Sequence, residues 1–270
     1  MIEVWGTLAG RWFVTLFAFA YLILGLKVLG GRKLALFTVA AFVLAAASEN
    51  ASVHFGFPYT HYTFNQALRG TELWILDVPI FVPLSYTFVM FFSFCAARVV
   101  AAGPWSRVPP SRWGAYLLSV LFATWSTWTL DPVAQRGERW YLGDLFHYRE
   151  PGFWFGLPLS SQVGWFLVSA LLCGLLAWMT WHTGQRSERP LRNPLVWCLV
   201  VFVVQVLHLS IVAFVIGEPT LCAAGLLIWT PAAAITWVFW SQLGRQGSAR
   251  GRPLPPRADR SAERAGRGEA

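Results

Sequence analysis

Seven stretches of about twenty predominantly apolar residues, each long enough to cross a bilayer as a helix, recur along this chain. They fall near residues 12–30, 34–55, 75–97, 112–130, 159–182, 194–216 and 220–242. Lipid offers no hydrogen bonds to an exposed backbone, so such runs must satisfy their own. The fold class expected is all-α: a polytopic, integral membrane helical bundle of about seven transmembrane helices. The second run reaches spanning length only if Glu49 and Asn50 lie inside it, and the third contains Asp77, Pro79 and Pro83. The first run is too long, and too soon followed by another, to be a cleaved signal peptide.

Basic residues orient such a bundle, because they favour cytoplasmic loops. Lys27, Arg32 and Lys33 separate the first two runs; Arg98, Arg107 and Arg112 flank the next such loop; Arg186, Arg189 and Arg192 fill the one between runs five and six. These loops share one side, so the N-terminus is expected outside and the C-terminus in the cytoplasm, with the protein integral to the inner membrane of a bacterium. Residues 1–243 form the transmembrane helical domain. Residues 244–270 are Arg-rich, lack apolar periodicity and read as a disordered cytoplasmic tail. Of the net charge of +8, four units come from that tail, where seven arginines meet Asp259, Glu263 and Glu269. The basic excess therefore points to topology and lipid headgroups, and no nucleic acid partner is expected. Cys95, Cys173, Cys198 and Cys222 all lie in apolar runs without a CxxC pair, and read as small core residues.

The acids are distributed unevenly. Between Arg11 and Arg245 only Glu188 falls on the expected cytoplasmic side; Glu49, Glu72, Asp77, Asp131, Glu138, Asp144, Glu150 and Glu218 gather opposite. Glu72, Glu138, Asp144 and Glu150 read as ordinary loop polarity. Glu49, Asp77, Asp131 and Glu218 sit in or against apolar runs, where an ionisable group is costly and is paired, neutralised or functional. Desolvation disfavours the charged form, and a protonated carboxylic acid is a proton donor. Rings crowd the same places: Phe55, Phe57, Tyr59, Tyr62 and Phe64 follow Glu49, Trp125 and Trp128 precede Asp131, and Trp165 follows the turn at 156–158. An interfacial aromatic belt accounts for many of these rings. Ring faces also attract cations, so acids among rings suit protonation of a carbon–carbon double bond. His208 and Gln205, one helical turn apart, can share a face.

Several chemistries are excluded. The five histidines form no HxxxH or HxxHH box, and Lys27 and Lys33 are the only lysines, so neither a multi-histidine iron site nor a retinal Schiff base in the last helix is available. No phosphate-binding loop, dinucleotide fingerprint or nucleophile elbow occurs. The expected chemistry uses no metal and no cofactor.

Four ordered motifs carry a resemblance. Glu49 followed by "FGFPYTHYTF" at 55–64, "DVPIFVPLSY" at 77–86, "LDP" at 130–132 and "FGLPLSSQVGW" at 155–165 resemble the CruF-type carotenoid biosynthesis proteins, which include carotenoid 1,2-hydratases acting on γ-carotene or bisanhydrobacterioruberin. Where the resemblance leads one to expect an asparagine, this chain has Ser161, which can still donate and accept a hydrogen bond. The resemblance implies a hydro-lyase that adds water to the terminal C1–C2 double bond of an acyclic carotenoid end of the lycopene or γ-carotene type. Its partners would be the lipophilic polyene, water, the bilayer and other enzymes of the carotenoid pathway. Asp131 or Glu49 would be the general acid and the other would orient water or stabilise the cation, with Asp77 as a third candidate. Tyr59, Tyr62, Trp128, Trp165, His208 and Ser161 would bind the substrate. Two rivals stand beside this reading. A carotenoid-end cyclase or isomerase would use the same protonation without water, and a membrane transporter or pigment-binding scaffold would bind without conversion.

Overall fold

A computed structural model describes residues 2–102, 112–141, 143–180, 193–231 and 233–234. Its framework is helical: α1 (Ile2–Gly10), α2 (Trp12–Leu29), α3 (Gly31–Phe55), α4 (Phe81–Ala102), α5 (Arg112–Ala134), α6 (Leu159–Met179), α7 (Pro194–Val215) and α8 (Pro219–Ile228). Among the described residues, α2, α3, α4, α6 and α7 are long and apolar enough to cross a membrane. The fourth run forms α5, whose 23 residues reach about 34 Å at 1.5 Å per residue. Ser119, Thr124, Ser126, Thr127, Thr129 and Asp131 on it are buried, which makes α5 the more polar, inward-facing helix. The rest of the seventh run beyond the described residues, the tail from 244, and the arginines at 107, 186, 189 and 192 lie outside what the structure describes.

Helix α4 is the hub, packed against α2, α3, α5, α6 and α7. Every residue from Tyr86 to Ala97 is buried, so this helix meets protein on all sides. By contrast α2 and α7 leave Leu16, Phe19, Val204 and Ile211 exposed on their outer faces, as expected of helices whose solvent is lipid.

The third run departs from expectation. Its first residues form a small hairpin, with β2 (Trp74–Ile75) antiparallel to β3 (Val78–Pro79), and the helix begins only at Phe81. Proline supplies the reason: Pro79 has no N–H to extend a helix backwards, whereas Pro83 falls in the first turn of α4, where that donor has no intrahelical partner. Asp77 consequently sits in the hairpin turn, partly exposed, bonded to Arg69 at 2.6 Å and to His54 at 3.1 Å. Glu218 is likewise a fastener. It lies between Arg136 at 3.1 Å and Arg139 at 2.7 Å, tying the α7–α8 turn to the chain after α5. Although desolvation opposes it, bonding to these two guanidiniums holds the Glu218 carboxyl below its ordinary pKa. Helix α1 was not anticipated by the apolar runs. Thr7 Oγ1 accepts from the Leu73 N–H at 2.9 Å, and Arg11 pairs with buried Glu72 at 2.6 Å.

The two long connections, 56–80 and 135–158, meet at one end of the bundle. There β1 (Tyr62–Phe64) pairs antiparallel with β4 (Phe146–Tyr148), in the register Tyr62↔Tyr148, Thr63↔His147 and Phe64↔Phe146. Strand alternation turns Tyr62, Phe64, Phe146 and Tyr148 inward and leaves Thr63 and His147 exposed. Gly56 and Gly156, in the similar "FGFP" and "FGLP" segments, adopt φ of 73° and 93°, a left-handed region that favours glycine.

Helix α6 is seated on the first of these connections through Gly164. A Cβ there would stand 2.5 Å from the Pro58 carbonyl oxygen and 2.6 Å from the Tyr59 ring. Gly164→Val should therefore force α6 away from residues 58–59 and destabilise the protein by about 1–3 kcal/mol, measured as a lowered unfolding midpoint in detergent. A wild-type midpoint would show that this packing is not tight.

Candidate active site

At the end of the bundle where the β1–β4 ribbon lies, a cavity of about 140 Å³ opens between α2, α3, α4, α5, α6 and α7. Glu49 and Asp131 both line it, each 5% exposed. Glu49 is in the penultimate turn of α3, which continues through it to Phe55, as the length of the second run requires. Asp131 is in the last turn of α5, followed by Pro132 within the helix.

The two carboxyls are held differently. Glu49 accepts a hydrogen bond on each oxygen, from the Tyr62 hydroxyl on Oε2 and the Tyr86 hydroxyl on Oε1. Asp131 takes both its donors on one oxygen: Tyr148 Oη donates to Oδ2 at 3.1 Å and Trp165 Nε1 donates to the same atom at 3.2 Å. Every donor is electrically neutral. Two aromatic bridges join the acids. The Tyr86 and Trp165 rings stack at 4.6 Å and 8°, while Tyr62 and Tyr148 meet edge to face at 5.9 Å, as their cross-strand pairing dictates.

Tyr59 completes the wall. Its hydroxyl lies 2.8 Å from Tyr86 Oη and 3.2 Å from Ser48 Oγ; with the one Tyr86 hydrogen given to Glu49, Tyr59 is the donor to Tyr86. Burial, reinforced by the negative charge of Glu49, pushes the phenols of Tyr59 and Tyr62 well above their ordinary pKa of 10.0. Burial does the same for Tyr148. These tyrosines thus remain O–H donors at any working pH.

Of the residues expected at the site, Glu49, Asp131, Tyr59, Tyr62, Trp165, Ser161 and His208 line one cavity. Asp77 does not line it. Trp128 also lies off the cavity wall: its ring packs on Trp154 at 5.3 Å, and its carbonyl accepts from the Trp154 indole at 3.0 Å. At the far side of the cavity His208 Nε2 is 3.0 Å from the Tyr141 hydroxyl, and Gln205 lines the wall with it. Sequence reasoning missed Tyr86 and Tyr148, which touch the acids directly. Tyr86 stood in the quoted "DVPIFVPLSY" motif, but nothing in its spacing showed that it would reach Glu49. Tyr148 depends on the pairing of two strands far apart in the chain, in which Tyr62 meets Tyr148, 86 positions on. Among the described residues no group of three or more His, Cys, Asp or Glu side chains is placed to hold a metal ion.

Cysteine ionisation and disulfide chemistry play no visible part: the four cysteines are free, with Cys95, Cys173 and Cys198 buried in the helical core. Comparison with known proteins adds the family. Residues 9–240 match the family described as carotenoid biosynthesis protein. No curated protein and no solved structure gives a significant match.

The elevated phenols make a pH prediction. A raised acid pKa contributes stability that is complete below the ordinary value and is lost as pH rises through the folded one. Tyr62→Phe and Tyr148→Phe should leave the tyrosinate absorbance titration unchanged until the protein unfolds in alkali. A lost titration step near pH 10 in either variant, which is the ordinary tyrosine value, would show that its phenol is in contact with water.

Proposed function

Because the chain belongs to the carotenoid biosynthesis protein family, we propose that it is a carotenoid 1,2-hydratase, adding water without a cofactor to the terminal double bond of an acyclic carotenoid end. The observation that carries this reading is the pair of buried carboxyls in one aromatic cavity, held by neutral donors in unlike ways. Neighbouring carboxyls divide into one neutral and one charged member. Glu49, with a hydroxyl on each oxygen, suits the carboxylate. Asp131, with both donors on Oδ2, keeps Oδ1 for a proton.

In this mechanism the end of the polyene enters the cavity, whose volume is close to that of an engineered apolar cavity of roughly 150 Å³ that admits benzene. It therefore accepts an end group and leaves the remainder of a C40 chain outside, along the lipid-facing helices. Asp131 protonates C2, and the positive charge develops at the tertiary C1. The Glu49 carboxylate and the ring faces of Tyr59, Tyr62 and Trp165 stabilise it. Water then captures C1 as a tertiary alcohol. The bundle has seven spanning helices in this reading, with the N-terminus outside, in a bacterial inner membrane. The hydroxyls of Ser161 and Tyr148 beside Asp131 favour hydration over the dry cation chemistry of a cyclase or isomerase.

Co-expression in a lycopene-accumulating bacterium tests the proposal, with pigments analysed by chromatography and mass spectrometry. The expected product is lycopene plus one or two waters with its chromophore retained; an isomer of unchanged mass would mean cyclisation or isomerisation. Asp131→Asn and Glu49→Gln should each yield folded protein with conversion reduced by about 10²–10⁴-fold, the usual worth of a general acid or base. Full activity in either variant would remove that residue from the mechanism.

A further inference from the structure

Beside Asp131 the cavity carries a hydroxyl pair that protonation of the alkene does not use. Ser161, in the first turn of α6, is 1% exposed and lines the cavity. Its Oγ lies 3.0 Å from Tyr148 Oη, which in turn lies 3.1 Å from Asp131 Oδ2. A phenol has one hydrogen to give. With that hydrogen donated to Asp131, the Ser161–Tyr148 bond must be made by the serine hydrogen, and the Ser161 lone pairs are left as acceptors. A water that donates one hydrogen to Ser161 Oγ keeps its own lone pairs unshared, the orientation a nucleophile needs.

The direction of these bonds supplies a second step. From water to Ser161, from Ser161 to Tyr148 and from Tyr148 to Asp131, each hydroxyl donates towards the carboxyl. We infer that Ser161, positioned by Tyr148, holds the attacking water and that the Ser161–Tyr148 chain returns its proton to Asp131. The inference rests on the hydration reading. The step balances. The Asp131 O–H bond breaks and the alkene π pair forms the C2–H bond; a water lone pair forms the C1–O bond; and the water proton passes to Ser161 as the serine proton passes to Tyr148 and the tyrosine proton to Asp131. Asp131 is protonated again, now on Oδ2; turning of the carboxyl and of the two hydroxyls then restores the starting arrangement, and the net change is addition of one water. Without a held water, the cation instead loses a proton from a neighbouring carbon to a carboxylate, giving an alkene of unchanged skeleton. Ser161 and Tyr148 thus set the partition between alcohol and alkene rather than the ease of protonation.

The test uses membranes containing the full chain, supplied with lycopene in D₂O buffer, with products resolved by mass. Wild type should form the hydrated carotenoid bearing one carbon-bound deuterium per hydrated end. In Ser161→Ala and Tyr148→Phe, loss of one hydrogen bond should lower the ratio of hydrated to unhydrated, deuterated carotenoid by about tenfold, equivalent to about 1.4 kcal/mol. Ser161→Thr keeps the hydroxyl and should keep the wild-type ratio. A purely structural role would lower both products together. The inference is overturned if folded Ser161→Ala keeps the wild-type ratio or forms neither product; should that variant fail to fold, Tyr148→Phe decides by the same ratio. Wild type that forms no hydrated product would instead overturn the hydration reading itself.

Discussion

A carboxyl buried among aromatic rings is tolerable only when it is hydrogen-bonded, and at Glu49 that requirement organises one whole end of the molecule. Its two donors arrive from different places, Tyr62 from β1 and Tyr86 from α4, so three elements converge on a single side chain of α3. Asp131 likewise draws elements together, gathering Tyr148 from β4 and Trp165 from α6 onto one oxygen of an α5 side chain. The short β1–β4 ladder has only three residue pairs and would be marginal alone. Anchored on both strands at the Tyr62–Tyr148 pair by phenols bound to buried acids, it becomes the strap that links the two carboxyls.

The bridges between the acids are made of rings. Tyr86 stacked on Trp165, and Tyr62 set edge-on to Tyr148, place π-systems where a metal site would have ligands. Such walls are apolar enough to receive a hydrocarbon, yet their faces carry negative potential. Water would quench a carbocation without discrimination in an open cleft. In a small cavity the number and place of water contacts can be set by a few hydroxyls, which makes the outcome of a cation a property of the protein.

How far the sequence foretold this differs from element to element, for physical reasons. The helices at 12–29, 31–55, 159–179 and 194–215 follow from apolar length alone, because lipid and backbone leave no alternative, and Glu49 belongs inside its helix for the same reason. Apolar character does not by itself separate helix from strand, so residues 74–80 read as the start of a span when Pro79 in fact closes a hairpin. The partners of the acids were harder to see. Tyr62 was found because it is near Glu49 in sequence, whereas Tyr86 and Tyr148 reach their acids only through helix packing and cross-strand register. Trp128 shows the reverse error: it is three residues from Asp131, but that offset on α5 did not bring it to the cavity wall, and its ring went to Trp154.

Glu49, Asp77, Asp131 and Glu218 looked alike in sequence, set apart from loop acids such as Glu72, and what separates them is the kind of donor the fold brings. Glu72 has Arg11, Asp77 has Arg69 and Glu218 has Arg136 and Arg139. A guanidinium is always charged, so it holds its carboxylate as an anion and removes it from proton exchange; these three fasten α1, the β2–β3 turn and the α7–α8 turn. Among the described residues Glu49 and Asp131 have no ion pair with arginine, lysine or histidine, only phenol and indole donors. Neutral donors satisfy a buried carboxyl without fixing its charge, so the same group can lose a proton and take it back. Arginine beside an acid makes a joint, and tyrosine beside an acid makes a reagent; at this end of the bundle the fold uses the first to hold the second in place.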